Sequence, residues 1–192
     1  MKATWNSRSL NDDSFHEKLF LSECYYHETH YPLDENDMKI TQASKRQLPE
    51  LAALQKMYMQ RHAKLDGYFM FEEDASTRWI SYMKEFIGQQ NNLVLVAMEK
   101  NTIMGYMTAS IHARPPIYKI KRAGLIGDNF VLPQYRRKGV FSKILEQILS
   151  WMKAKGVEYV EHPIAAKNNL GRTVWRKRGF EDTTIFTKRK IA

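Results

Sequence analysis

The residues best placed to do chemistry lie in one short stretch. Asn129-Phe130-Val131-Leu132 runs into Pro133-Gln134-Tyr135-Arg136-Arg137-Lys138-Gly139, and an amphipathic segment opens at Val140. A strand, a short basic turn with a glycine and a helix N-terminus together make an anion site. The turn amides and the positive end of the helix dipole converge on one point, and Arg136, Arg137 and Lys138 add full charges. The guest this predicts is a pyrophosphate. A second group, Cys24, His27 and His30 with Asp34 following, has a spacing that a metal could use. It lacks the second pair of ligands that a closed site needs, so no metal is expected.

Composition narrows the class. The 192 residues are 43% hydrophobic and 27% charged, which fits a soluble globular domain with a real core and room for an appended segment. The longest apolar run, Leu93 to Met98, is too short to span a bilayer, and Met1 to Leu10 lacks the apolar stretch of a signal peptide. With a single cysteine, Cys24, a reducing cytoplasm is the expected compartment. The net charge of +9 is uneven: residues 1–37 hold three basic against eight acidic side chains, a balance of −5, and the remainder 27 against 13, or +14. The basic body points to an anionic ligand. Residues 1–37 show no sustained periodicity and read as an acidic extension of unknown role.

The elements that must position the loop follow from periodicity. A short strand is predicted at Met38–Thr41. A helix starts at Pro49 and carries Leu51, Leu54, Met57/Tyr58 and Arg61, interrupted by the segment His62 to Phe69. A second helix starts near Asp74 with Trp79, Ile80, Met83, Phe86 and Ile87 on one face. Strands are predicted at Leu93–Met98, at Ile103 to about His112 and at Ala123–Leu132. A helix over Val140–Lys155, a strand over Val157–Ile164, a helix over Lys167–Arg178 and a last strand over Phe180–Arg189 complete the chain. The order β-α-α-β-β-β-α-β-α-β describes an α/β protein with a mixed sheet.

Residues 38 to about 189 resemble the GNAT superfamily of acetyl-CoA-dependent N-acyltransferases. Three motifs carry the likeness besides the element order. Arg136-Arg137-Lys138-Gly139-Val140-Phe141 is similar to the family's [Q/R]-x-x-G-x-[G/A] loop. Asn168, Trp175 and Gly179-Phe180 are similar to its N-x-x-A-x-x-F-Y-x-x-x-G-F, and Gly105-Tyr106 matches its V-G-x motif more weakly. The resemblance implies acetyl-CoA as co-substrate. The amides of Arg137, Lys138, Gly139, Val140, Phe141 and Ser142 would hold its pyrophosphate, with Arg136 and Asn168 also at the cofactor. Asn129, Phe130 and Val131 would lie along the pantetheine arm at an unpaired strand edge, which requires splayed central strands. Pro163 suits such a splay, and suits a plain strand end equally.

Transfer of an acyl group from a thioester to an amine needs the amine deprotonated, the carbonyl oxygen stabilised and the thiolate released. The resemblance implies that a backbone N–H of the Val131 strand serves the carbonyl. Asp128 is the preferred base, directly or through water, with His162 and His112 as alternatives. Trp175 falls at the position of the family's general-acid tyrosine, yet an indole N–H cannot serve a thiolate near neutral pH. Tyr159, Tyr135, Tyr106 or solvent would replace it. Phe141 stands where Gly or Ala is usual, so its ring must turn from the phosphates. The loop between the first two helices would cover the acceptor, with His62, Asp66, Tyr68 and Phe69 as substrate-binding residues; acids and aromatics there suit a cationic amine.

The expected function is therefore N-acetyl transfer to a primary amine, and a homodimer is the expected assembly. One alternative is a non-catalytic CoA-binding module, to which Trp175 and Phe141 would point. Another is an acetyltransferase of tRNA-borne amines, using Arg172, Arg176, Lys177, Arg178, Lys188, Arg189 and Lys190. No RNA motif accompanies that basic cluster, so nucleic acid is not the expected partner.

Overall fold

The computed structural model describes residues 38–191. Cys24, His27, His30 and Asp34, with the rest of the acidic segment 1–37, lie outside the described residues. Five strands lie in sequence order across one sheet: β1 (Met38–Gln42), β2 (Asn92–Glu99), β3 (Thr102–Ala113), β4 (Arg122–Val131) and β5 (Val160–Glu161). Neighbours pair antiparallel except β4 and β5, which are parallel because the helix between them makes a crossover. Among the described residues four α-helices accompany the sheet: α1 (Leu48–Leu65), α2 (Ala75–Phe86), α3 (Val140–Ala154) and α4 (Asn169–Arg176).

The strand β2 is buried along Val94-Leu95-Val96-Ala97, as a strand covered on both faces must be. Val94 and Val96 join Leu48, Leu51 and Leu54 of α1, Met83 of α2 and Tyr106 and Phe130 of the sheet in one core cluster. On α3, Val140, Ile144, Leu145, Ile148 and Met152 are buried at helical spacing, and Met152 packs over Gly124. At Gly105 a side chain would run into the backbone of β4, whose Phe130 oxygen lies 2.7 Å from the position a Cβ would take.

Two irregularities shape the sheet. A β-bulge lies between β3 and β4, where Met107 faces Asn129 but Ala109 faces Ile126, so Gly127 and Asp128 both stand opposite Thr108. On its other side β4 pairs with β5 only at Gly124↔Val160 and Leu125↔Glu161. Gly124 N–H donates to Tyr159 O at 2.9 Å. The next rung of that ladder needs the N–H of residue 163 to reach Ile126 O. Residue 163 is proline and has none. The imidazole of His162 supplies the missing donor instead, with Nδ1 2.9 Å from Ile126 O. Beyond that point the two strands part.

Several boundaries differ from expectation. The first helix runs through His62 to Leu65 instead of breaking there, and ends at Asp66, whose N–H still reaches His62 O at 3.0 Å. The strand expected over Val157–Ile164 is only two residues long. The last strand expected over Phe180–Arg189 does not form; Ile185 and Phe186 there are exposed. A strand needs an edge to pair with, and β5, stopped by Pro163, offers an edge of two residues.

Candidate active site

The loop between β4 and α3 is held back against the strand. Arg136 Nε donates to Val131 O at 3.0 Å, and the Tyr135 hydroxyl donates to Glu99 at 3.0 Å. Gly139 is the N-cap of α3 at φ +79°, a left-handed position that glycine takes without strain, and Arg137 also adopts a positive φ of 62°. No Cβ at Gly139 would meet anything within 4 Å, so the surface above it is open. Helix geometry leaves the N–H groups of Val140, Phe141 and Ser142 without acceptors inside α3. They point out of its N-terminus together with the dipole. Arg178, from beyond α4, donates to the Ser142 hydroxyl and so brings another cation to this end. Its sequence distance hid it.

Among the described residues, no strand pairs with the β4 edge beside the loop. Leu132 N–H donates to Met104 O of β3, and amide directions alternate along a strand. Phe130 therefore faces β3 as well, where it stands opposite Tyr106. Asn129 and Val131 turn their amides the other way, into the gap that β5 leaves. The Val131 carbonyl there is taken by Arg136, consistent with that direction.

Asp128 stands at the bulge, one residue further. Its Oδ2 accepts the indole N–H of Trp79 at 3.0 Å. Burial pushes its carboxyl up from the ordinary carboxylate value, opposed by the Trp79 hydrogen bond and by His62. Tyr58 and Tyr106 complete the setting; burial first, and the Asp128 charge second, raise both phenols. The Tyr106 hydroxyl is buried with no hydrogen-bond partner among the described residues. A cavity of about 140 Å³ borders Asp128, lined also by Tyr82, Met83, Phe86, Thr108 and Gly127. In the sequence Trp79 and Tyr58 are helix-face residues, and nothing local in their spacing marks them as neighbours of a carboxylate.

Trp175 is the hub of an aromatic cluster. It is buried, with ring centroids 5.1 Å from Phe141, 4.0 Å from His162 and 4.7 Å from Phe180. The Phe141 ring is thus engaged with α4. Asn168 caps α4, its Oδ1 accepting Gly171 N–H at 3.0 Å. Burial draws the pKa of His162 down to about 4, against the pull of the Ile126 carbonyl. His112 sits on β3 with Nε2 3.7 Å from Glu161. Lys138 lies over the Tyr135 ring at 6.0 Å.

Over the loop after α1, His62 Nδ1 lies 3.0 Å from Tyr58 O, and its ring meets Phe69 edge-on at 5.8 Å. Phe69 and Tyr68 are themselves in edge contact at 5.5 Å. Asp66 Oδ1 accepts Tyr68 N–H at 3.0 Å. Lys188 and Lys167 also reach Asp66, at 2.6 and 3.3 Å. Lys188, then the Tyr68 amide, then Lys167 hold its carboxyl well below the usual range.

The structure thus sets a strand edge beside a glycine-capped helix N-terminus, with the partly buried carboxylate of Asp128 at its far end. The model of the acetyltransferase (GNAT) family matches residues 52–180, more than half of the chain, and the chain belongs to that family. No curated protein matches the sequence. Among solved structures it is similar to a predicted acetyltransferase with acetyl-CoA from Clostridium acetobutylicum, 20% identical, covering 80% of this chain and 96% of that one with a TM-score of 0.67. It is also similar to the aminoglycoside N-acetyltransferase AAC(6')-Iy in complex with CoA, 23% identical over 81% and 95% of the chains, TM-score 0.64. A third is an aminoglycoside acetyltransferase from an uncultured soil metagenomic sample in complex with sisomicin, 19% identical over 82% and 99%, TM-score 0.61. At these identities the likeness is one of fold.

Proposed function

We propose that the protein transfers an acetyl group from acetyl-CoA to a primary amine by direct attack in a ternary complex. The single observation that carries this is the open edge of β4 at Asn129 and Val131, ending at the N-terminus of α3 on one side and at Asp128 on the other. The pyrophosphate sits on the amides of residues 137–142, with Arg136, Arg137, Lys138 and Arg178 around it. The pantetheine arm pairs with Asn129 and Val131 as an added strand would. That leaves the thioester next to Asp128, with the Asn129 N–H turned toward its carbonyl oxygen. Asn168 acts through the helix it caps. Trp175 supports the site by packing Phe141 away from the loop.

In the reaction Asp128 takes a proton from the acceptor's ammonium, directly or through a water. The neutral amine nitrogen then attacks the thioester carbonyl, and the new C–N bond forms as the C–S bond breaks. The nitrogen gives its second proton to solvent, and solvent protonates the departing thiolate. The cavity beside Asp128 and the loop carrying His62, Asp66, Tyr68 and Phe69 receive the acceptor, whose cationic character the carboxylates and aromatic faces suit. Of the basic cluster considered for RNA, Arg172 and Arg176 pair with Asp182, Arg178 with Ser142 and Lys188 with Asp66, which favours the small-amine reading. A cytoplasmic location and a homodimer belong to the same proposal, supported by the single cysteine and by the exposed Ile185, Phe186 and Ile191.

The test is thiol release from acetyl-CoA with a panel of primary amines. Turnover is expected with at least one amine, and to fall by about 10²–10⁴-fold in Asp128→Asn. Cofactor binding without turnover on any amine would refute the enzyme and favour a binding module.

A further inference from the structure

The carboxylate that the acceptor loop offers to a cation is already taken by the chain itself. Lys188 Nζ lies 2.6 Å from Asp66 Oδ1, and the same ammonium stands 4.6 Å from the centroid of the Tyr68 ring. Lys167 approaches the other oxygen at 3.3 Å. A carboxylate on one side and an aromatic face on the other is an arrangement that binds a primary alkylammonium. A lysine side chain is one, delivered here from 122 residues away.

The segment carrying Lys188 is lightly held. It makes no strand; near α4 it is tied by Asp182 to Arg172 and Arg176, at 2.9 and 2.6 Å. Between those ties and Lys188, Ile185 and Phe186 are exposed. Lys188 is half exposed and the Asp66 side chain is 17% exposed, and a pair with one arm in solvent shifts an equilibrium by about fivefold. A free ammonium can therefore compete with the lysine on nearly equal terms.

We propose that Lys188 is a tethered occupant of the acceptor's ammonium subsite, a strap that an incoming alkylammonium displaces from Asp66 and Tyr68. The proposal rests on the reading of the protein as an amine acetyltransferase and narrows its acceptor to an unhindered, lysine-like primary alkylammonium. It differs from a bolt in sign. If Lys188 only braced the loop, removing its charge would loosen the subsite and weaken acceptor binding. As a competitor, its removal strengthens binding.

The experiment is calorimetric titration of putrescine into CoA-saturated wild type, Lys188→Met, Asp66→Asn and the double variant. Lys188→Met keeps the methylene stem and removes only the charge. Putrescine is expected to bind it about three- to fivefold more tightly than wild type. Asp66→Asn weakens putrescine, and in that background Lys188→Met makes no further difference. Equal or weaker binding to Lys188→Met, or none to either protein, overturns the strap. The CoA titration that precedes each run separates the two readings. Normal CoA uptake with an unresponsive subsite removes only the strap, whereas a folded wild type that takes up no CoA removes the functional reading and the strap with it.

Discussion

Asp128 carries opposing demands at the scale of one residue. Burial makes its charged form costly, while the Trp79 N–H and His62 favour that form. Because its pKa is raised in the fold, the native state holds the proton more tightly than the unfolded chain does. Its contribution to stability is thus fullest at low pH and is lost as pH rises through the raised value. Asp128→Asn is expected to keep the Trp79 hydrogen bond, to gain about 1 kcal/mol at neutral pH over wild type, and to lose that advantage in acid. Thermal melts from pH 4.5 to 8 measure this, and an advantage that grew in acid would contradict the assignment. Its neighbour Asn129 and the basic turn made Asp128 visible in the sequence. Trp79 stayed hidden, since a partner 49 residues away on a helix face leaves no local pattern.

At the scale of elements, the opening between β4 and β5 rests on Pro163 and His162. Pro163→Ala would restore the N–H that the ladder lacks, letting β5 reach Ile126 O and closing part of the gap. We expect weaker acetyl-CoA binding in that variant with unchanged or higher melting temperature; unaltered affinity would show that the gap has another cause. His162 is held neutral, with its pKa lowered to about 4. A depressed pKa contributes stability above the unfolded value, near 6.5, that disappears as pH falls toward 4. His162→Asn should flatten the decline in melting temperature across that window. The order of strands and helices was legible from apolar runs and from Pro and Gly punctuation, and Pro163 itself could be seen. What could not be seen was that His162 replaces its donor, or that β5 would then be too short to recruit Phe180–Arg189. Edge pairing is a property of the partner, and the segment's own residues do not record it. The same holds for His62, which periodicity left outside α1 because its apolar stripe fades before Leu65.

At the scale of the whole molecule, residues 1–37 carry a net −5 and the remainder +14, and every residue assigned to the proposed site belongs to the remainder. A chain beginning at Met38 is therefore expected to fold and to bind acetyl-CoA as the full chain does, a comparison that thermal melting and titration make directly. Family membership was legible because three separated motifs survive together; the acceptor was not, because its loop is built from contacts with distant lysines. The proposed function rests on a diphosphate binding at the helix N-terminus that Gly139 caps. Calorimetric titration of acetyl-CoA into the folded protein, beside Gly139→Val, tests it most directly. Saturable one-site uptake by wild type, lost or severely weakened when a β-branched residue is forced to φ +79°, is the predicted result. No uptake by folded wild type, or equal uptake by both proteins, would contradict it.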